Sequence, residues 1–136
     1  LLASSAASDV YKRQFLKDLY TLADAILAQD DVTLIERRDY VKNPKPSGYR
    51  SLHLIIEIPI FLESEKRLMK VEIQLRTISM NFWASLEHQL RYKKNLSEED
   101  ITAMNTELIE LAENAATLDA RMQALRNFLD QAEYMN

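Results

Sequence analysis

Cysteine is absent from this 136-residue chain, and glycine occurs once. The first absence excludes disulfides and thiolate metal sites. Two histidines with no cysteine nearby do not make a structural zinc set. No apolar run approaches the ~18 residues of a membrane span. The one glycine, Gly48, lies with Pro44 and Pro46 inside 39–49, so that stretch reads as a loop. The formal charge is −4, which argues against non-specific DNA binding but not against a local basic pocket for one nucleotide. These absences make the cytoplasm the expected compartment, with no membrane and no DNA partner. What is present is one domain's worth of chain, 47% apolar, which predicts a packed core.

Residues 1–14 (LLASSAASDVYKRQ) show no amphipathic period, and their basic residues follow the apolar ones, unlike a secretory signal. Residues 9–14 back-translate to a transposon-end sequence used in DNA library preparation. We therefore expect 1–14 to be a non-native leader, with an ordinary disordered leader as the alternative, and start the fold at Phe15.

Phe15, Leu19, Leu22, Ala23 and Ile26 have helical spacing, which predicts a helix over 15–29. Residues 32–37 are partly β-branched and read as a strand. Over 51–60, Leu52, Leu54, Ile56, Ile58 and Ile60 share one face, while Ser51, His53, Ile55 and Glu57 share the other. Over 68–76, Met69, Val71, Ile73 and Leu75 oppose Lys70, Glu72, Gln74 and Arg76. The short polar link 61–67 predicts an antiparallel hairpin. Thr77 or Ser79 can cap a helix carrying Phe82, Trp83, Leu86 and Leu90, with Glu87 and Arg91 paired four apart. Ser97 can cap a further helix that has Glu98, Glu99 and Asp100 in its first turn. That helix carries Ile101, Met104, Leu108, Leu111, Ala115, Leu118, Met122, Leu125, Leu129 and Ala132 in steps of three and four. Such a seam either packs on its own domain or joins subunits. The expected fold class is α/β (α+β): a small mixed or antiparallel sheet flanked by helices, with a long C-terminal helix.

The polar face of the hairpin has two readings. It is a solvated sheet face, or it is a site. Beside it lie Lys42, Lys45, Ser47, Gly48, Tyr49 and Arg50. Basic groups near a glycine can hold phosphates, with backbone N–H groups helping. A tyrosine ring offers a surface for a base. With a carboxylate on the adjoining strand, the set points to a nucleotide site with a general base.

The segment DYVKNPKPSGYRSLH at 39–53 resembles the guanine-nucleotide loop of the RelA/SpoT synthetase family. VEIQLRT at 71–77 resembles that family's catalytic strand, and MNFWASLEHQLRYKK at 80–94 is similar to its small single-domain members. The resemblance covers essentially 15–136 and implies a partial nucleotidyltransferase-like synthetase fold. It implies transfer of pyrophosphate from ATP to the ribose 3′-hydroxyl of GTP or GDP, with Mg2+ as cofactor and a homo-oligomer, a tetramer, as assembly. It further implies that Tyr49 stacks on guanine, that Lys45, His53 and Arg50 contact phosphate, and that Glu72 holds magnesium and activates the hydroxyl. Gln74 and Arg76 would orient Glu72 and the nucleotide. Ser47 stands where many family members carry Asn for the guanine edge.

On this resemblance, 15–94 is the guanine-nucleotide part of a synthetase domain and 95–136 a helical oligomerisation segment. The family's second metal-binding carboxylate, in an Asp-x-x-Gly-(Ile/Leu)-Arg motif, and its ATP-binding Arg and Lys have no match before Phe15. Two hypotheses follow: a GTP pyrophosphokinase whose ATP-binding half is missing from these residues, so that they are inactive alone, or a non-catalytic guanine-nucleotide-binding and oligomerisation module.

Overall fold

The computed structural model describes residues 7–92 and 95–135. Along the chain it builds β1 (Ala7–Arg13), α1 (Leu16–Leu27), β2 (Thr33–Asp39), β3 (Leu52–Phe61), β4 (Lys66–Thr77), α2 (Ile78–Arg91) and α3 (Glu98–Met135). The strands form one mixed sheet in the order β1-β4-β3-β2. β4 runs antiparallel to β3 and parallel to β1, and β2 is antiparallel to β3. The expected α/β class with a mixed sheet and a long C-terminal helix is the fold observed.

β1 is a departure from expectation. Residues 1–14 were set aside from the fold, yet Ala7–Arg13 pairs with β4 from Val71 to Thr77. No apolar alternation announces this strand; Val10 is its one half-covered residue. The pairing places Ala7–Arg13 in the sheet. Residues 1–6, and Lys93 and Lys94 closing the 80–94 motif, lie outside the described residues.

Alternation decides the core. Leu52, Leu54, Ile56, Ile73 and Leu75 point to one side and are buried under Leu19 and Ala23 of α1. The opposite side of the same two strands carries His53, Glu72, Gln74 and Arg76, and α1 does not cover it. α2 starts where expected, because the Thr77 hydroxyl accepts the Met80 N–H at 3.1 Å. Ser97 caps α3 in the same manner, accepting from the Asp100 N–H at 3.1 Å. The foreseen Glu87–Arg91 pair forms at 3.0 Å.

α3 has 38 residues and at ~1.5 Å per residue spans roughly 57 Å. Its covered stripe differs from the seam read in the sequence. Leu108, Ala112 and Asp119 are buried, while Leu111, Leu118, Leu125 and Leu129 are exposed. The heptad pattern has apolar residues on more than one face, and the domain covers just one of them.

α2, α3 and the 40–50 loop meet around Gly48. Its φ is +100°, a left-handed value, and an added Cβ would lie 2.8 Å from the Ala112 Cβ and 3.3 Å from the Trp83 ring. The Trp83 indole N–H donates to the Leu108 carbonyl at 2.8 Å, fixing the ring against α3. Gly48→Ala therefore meets both strained backbone and a clash with a helix. It should destabilise the chain by roughly 1–3 kcal/mol in urea unfolding. An unchanged midpoint would mean that α3 yields easily at this crossing.

Candidate functional site

The polar face of β3 and β4 is assembled by register. His53 lies opposite Gln74, and Ile55 opposite Glu72, so His53, Glu72, Gln74 and Arg76 project together. The 40–50 loop folds over one end of this face and delivers Tyr49. That loop is anchored by Asp39. Its Oδ1 accepts the backbone N–H groups of Val41 and Lys42 at 2.9 and 3.0 Å, and its Oδ2 accepts the Tyr20 hydroxyl at 2.8 Å. Burial, then the bond to Asp39, pushes the Tyr20 phenol up to about 12.

The Tyr49 hydroxyl is the hub of the face. Arg76 Nη2 donates to it at 2.9 Å and Ser51 Oγ at 3.1 Å. It also sits 3.0 Å from His53 Nε2 and 3.2 Å from Gln74 Oε1. On its other side His53 places Nδ1 3.3 Å from Glu72 Oε1. A neutral imidazole has one proton. Assigned from this network, the proton sits on Nδ1 facing Glu72, and Nε2 accepts from Tyr49. Burial lowers the His53 pKa; Glu72 opposes this, and the cations Lys45, Arg76 and Arg38 add to it.

Arg76 is held on both sides. Its Nη2 also donates to Gln74 at 2.6 Å, and its Nη1 donates to Asn81 of α2 at 3.1 Å. The guanidinium carbon lies 5.4 Å from the Tyr49 ring centroid. Lys45 places its ammonium 4.9 Å from the Tyr40 centroid and 5.3 Å from that of Tyr49. Tyr40 packs edge-on against both Tyr49 and His53.

Thus the structure gathers Lys45, Tyr49, His53, Glu72, Gln74 and Arg76. It does not gather Arg50 or Ser47 with them. The Arg50 guanidinium is buried behind the sheet, 3.5 Å from Asp119. Ser47 is exposed at the loop's outer flank, where its hydroxyl accepts the Tyr49 N–H at 3.3 Å. Nor do loop N–H groups form an anion cradle as foreseen. Lys45 N–H donates to the Tyr49 carbonyl, Gly48 N–H to the Lys45 carbonyl, and Tyr49 N–H to Ser47.

A cleft of about 400 Å³ opens from this face toward α2 and is bordered by Tyr49, Arg76, Glu87 and His88. That size is in the range of small-ligand sites. Glu87 and His88 hold partners within their own helix region, Arg91 and Tyr92. Sequence reasoning passed over Tyr40, Asp39 and Asn81. The first two lay inside the loop motif. Asn81 is five residues past Arg76, across a strand-to-helix junction, where no local period links them.

A mixed sheet flanked by helices, with a polar strand face beside a basic-aromatic loop, is an α/β domain with a nucleotidyltransferase-like fold. Comparison with known proteins narrows this. The model for the region found in RelA/SpoT proteins matches residues 10–97. The chain is 44% identical over 117 residues to the GTP pyrophosphokinase YwaC of Bacillus subtilis, covering 85% of this chain and 54% of that protein. It is 37% identical over 122 residues to the GTP pyrophosphokinase YjbM of the same organism, covering 88% and 56%. The fold superposes on small alarmone synthetase 1 from B. subtilis bound to its product pppGpp, with a TM-score of 0.80 at 35% identity. That match covers 90% of this chain and 62% of the other. The chain belongs to the RelA/SpoT family. It spans just over half the length of these two curated relatives.

The lowered His53 pKa carries a sign. The unfolded chain, with an ordinary value of 6.5, binds the proton more readily than the folded one. The stability tied to neutral His53 is intact above that value and is lost as pH falls toward the lowered one. The drop in urea midpoint between about pH 7.5 and pH 5 should be smaller in His53→Gln than in the parent chain. Equal drops would show that His53 is not held neutral.

Proposed function

We propose that these residues carry the guanine-nucleotide half of a cytoplasmic enzyme that transfers pyrophosphate from ATP to the ribose 3′-hydroxyl of GTP or GDP, making the stringent-response alarmone (p)ppGpp. The convergence of Tyr49, His53, Glu72, Gln74 and Arg76 on one sheet face carries this reading, in a chain whose relatives are named GTP pyrophosphokinases.

In this reading the Tyr49 ring is the platform for guanine. Its orientation is pre-set, because its hydroxyl is tied to Arg76 and Ser51. Lys45 and Arg76 flank that ring and supply positive charge for phosphate. Glu72 is the general base for the 3′-hydroxyl. His53 Nδ1 stands 3.3 Å from its carboxylate, and the 40% exposure of the Glu72 side chain leaves room for substrate. His53 Nε2 meets the Tyr49 hydroxyl and Nδ1 lies beside the Glu72 carboxylate, which favours a part in positioning these two over phosphate contact. Magnesium fits this face as a shared ion. Among the described residues no three His, Asp or Glu groups gather into a cage. An ion that keeps waters and takes phosphate oxygens suits the one carboxylate of Glu72. When bound it would offset charge on the polyphosphate.

In-line transfer also needs the ATP polyphosphate fixed near the hydroxyl. These 136 residues offer nothing recognisable for that, so the chain by itself should make no alarmone. In a protein extended upstream by an Asp-x-x-Gly-(Ile/Leu)-Arg segment, Glu72→Gln should abolish transfer and leave GDP binding largely intact. Tyr49→Ala should first weaken GDP binding, by about 1–3 kcal/mol. Turnover by Glu72→Gln, measured as labelled (p)ppGpp, would remove Glu72 from the mechanism. GDP binding without turnover in the extended wild type would favour the non-catalytic module.

The α3 seam belongs to the same proposal, as a subunit contact in a homo-oligomer, with a tetramer the size the family resemblance implies. An apolar cleft of about 450 Å³ runs between α2 and α3, bordered by Ile78, Phe82, Leu86, Leu111, Leu118 and Met122. Phe82 is 77% exposed and Leu118 50%. Each leucine covered is worth roughly 1.5–3 kcal/mol. Changing both Leu111 and Leu118 to Glu in the extended protein should yield smaller, folded species in sedimentation. Unfolding or aggregation instead would mark the seam as intrachain core.

A further inference from the structure

Asp119 lies outside the region matched by the family model, in the middle of α3. It is 1% exposed, on the one stripe of α3 that the domain covers. Its Oδ2 accepts the Thr77 hydroxyl at 2.8 Å and faces Arg50 Nη1 at 3.5 Å. Its Oδ1 is buried with no partner. Stability alone does not account for this choice of side chain. An apolar residue beside Ala115 and Met122 would avoid the cost of burying an incompletely bonded carboxylate.

The two residues it touches are informative. Arg50 directly follows Tyr49, and Thr77 directly follows Arg76. Tyr49 and Arg76 are themselves joined on the front of the sheet, Nη2 to hydroxyl, at 2.9 Å. One carboxylate on the back therefore holds the backbone neighbours of both residues that meet on the front. Thr77 also caps α2, which supplies Asn81 to Arg76.

We propose that Asp119 is a positioning residue: through Arg50 and Thr77 it holds the Tyr49–Arg76 contact in register, so that α3 sets the geometry of the nucleotide face. Its functional meaning rests on the guanine-nucleotide reading above; its structural content does not. The contact also gives α3 a route to the site. Any displacement of α3 along its axis pulls on both neighbours together.

The test separates positioning from packing. Asp119→Asn alone leaves Arg50 as an unpaired buried charge and should lower the melting temperature. Asp119→Leu combined with Arg50→Met removes both charges, together with the acceptor of the Thr77 hydroxyl, and should restore it, because a buried pair replaced together by apolar side chains is often neutral. Hydrogen exchange is then measured on the nucleotide-free 136-residue chain. In the double variant, exchange at 48–51 and 76–79 should rise about tenfold while the centres of β3 and β4 stay protected. Thr77→Val should loosen 76–79 alone, and Arg50→Met alone 48–51. Exchange within about twofold of wild type at both segments, or a uniform rise across the sheet, would overturn the proposal. Trp83, the single tryptophan, then serves as donor to a fluorescent GDP analogue. If the wild-type chain binds the analogue, affinity in the double variant should fall about tenfold at matched stability. If the wild type does not bind it, as expected of these residues without the ATP-binding half, the exchange result decides the role of Asp119, and the guanine-nucleotide reading is decided on the extended protein.

Discussion

The antiparallel register between β3 and β4 is the constraint from which the rest follows. His53 faces Gln74 and Leu54 faces Ile73 across the same ladder. A slip of one residue would turn Leu52, Leu54 and Ile56 out to solvent and bring His53 inward. At roughly 1.5–3 kcal/mol for each large side chain exposed, that slip is strongly disfavoured. The apolar side of the hairpin thereby locks the polar side. The placement of Glu72, two residues before Gln74, needs no interaction of its own to be maintained.

What does need its own interactions is the loop, since no ladder holds it. Asp39 ties its start, Gly48 lets it pass under α3, and Tyr49 ends it in a four-partner hydroxyl. A phenol has one proton and two lone pairs, so these four contacts cannot all be full bonds at once. The ring position is held by the set rather than by one bond. This makes Tyr49 a rigid platform even though the loop around it is exposed.

The hairpin, its polar face and the helix starts were legible because they rest on period-two alternation and on local caps. Strand ends fell within two residues of expectation at 51–60 and 68–76, and the Thr77 and Ser97 caps formed as read. β1 was not legible, because an exposed parallel edge strand has no apolar face to print a period. On α3 the apolar stripe predicted burial without saying which face would find a partner. A straight helix repeats every 3.6 residues and drifts off a strict heptad. Of the buried positions Leu108 belongs to that seam, while Ala112 and Asp119 stand beside it. Asp119 was invisible for a further reason: its partners stand 69 and 42 residues away in the chain.

The basic loop shows how composition can overstate a binding surface. Its three cations separate. Lys42 places its ammonium 5.3 Å from the Tyr20 ring centroid, Arg50 goes behind the sheet to Asp119, and Lys45 stays between Tyr40 and Tyr49. On β2, Arg38 is spent on Glu36 at 2.6 Å. Around the hydroxyl of Tyr49 the charge is then Lys45 and Arg76 against Glu72, a single positive charge in excess. A nucleoside polyphosphate set there meets ring faces and the Glu72 carboxylate, but only one surplus positive charge from these residues. That is why the proposed reaction gives much of the charge compensation to a divalent ion, and gives this face the tasks that geometry can perform, stacking the base and aiming the carboxylate.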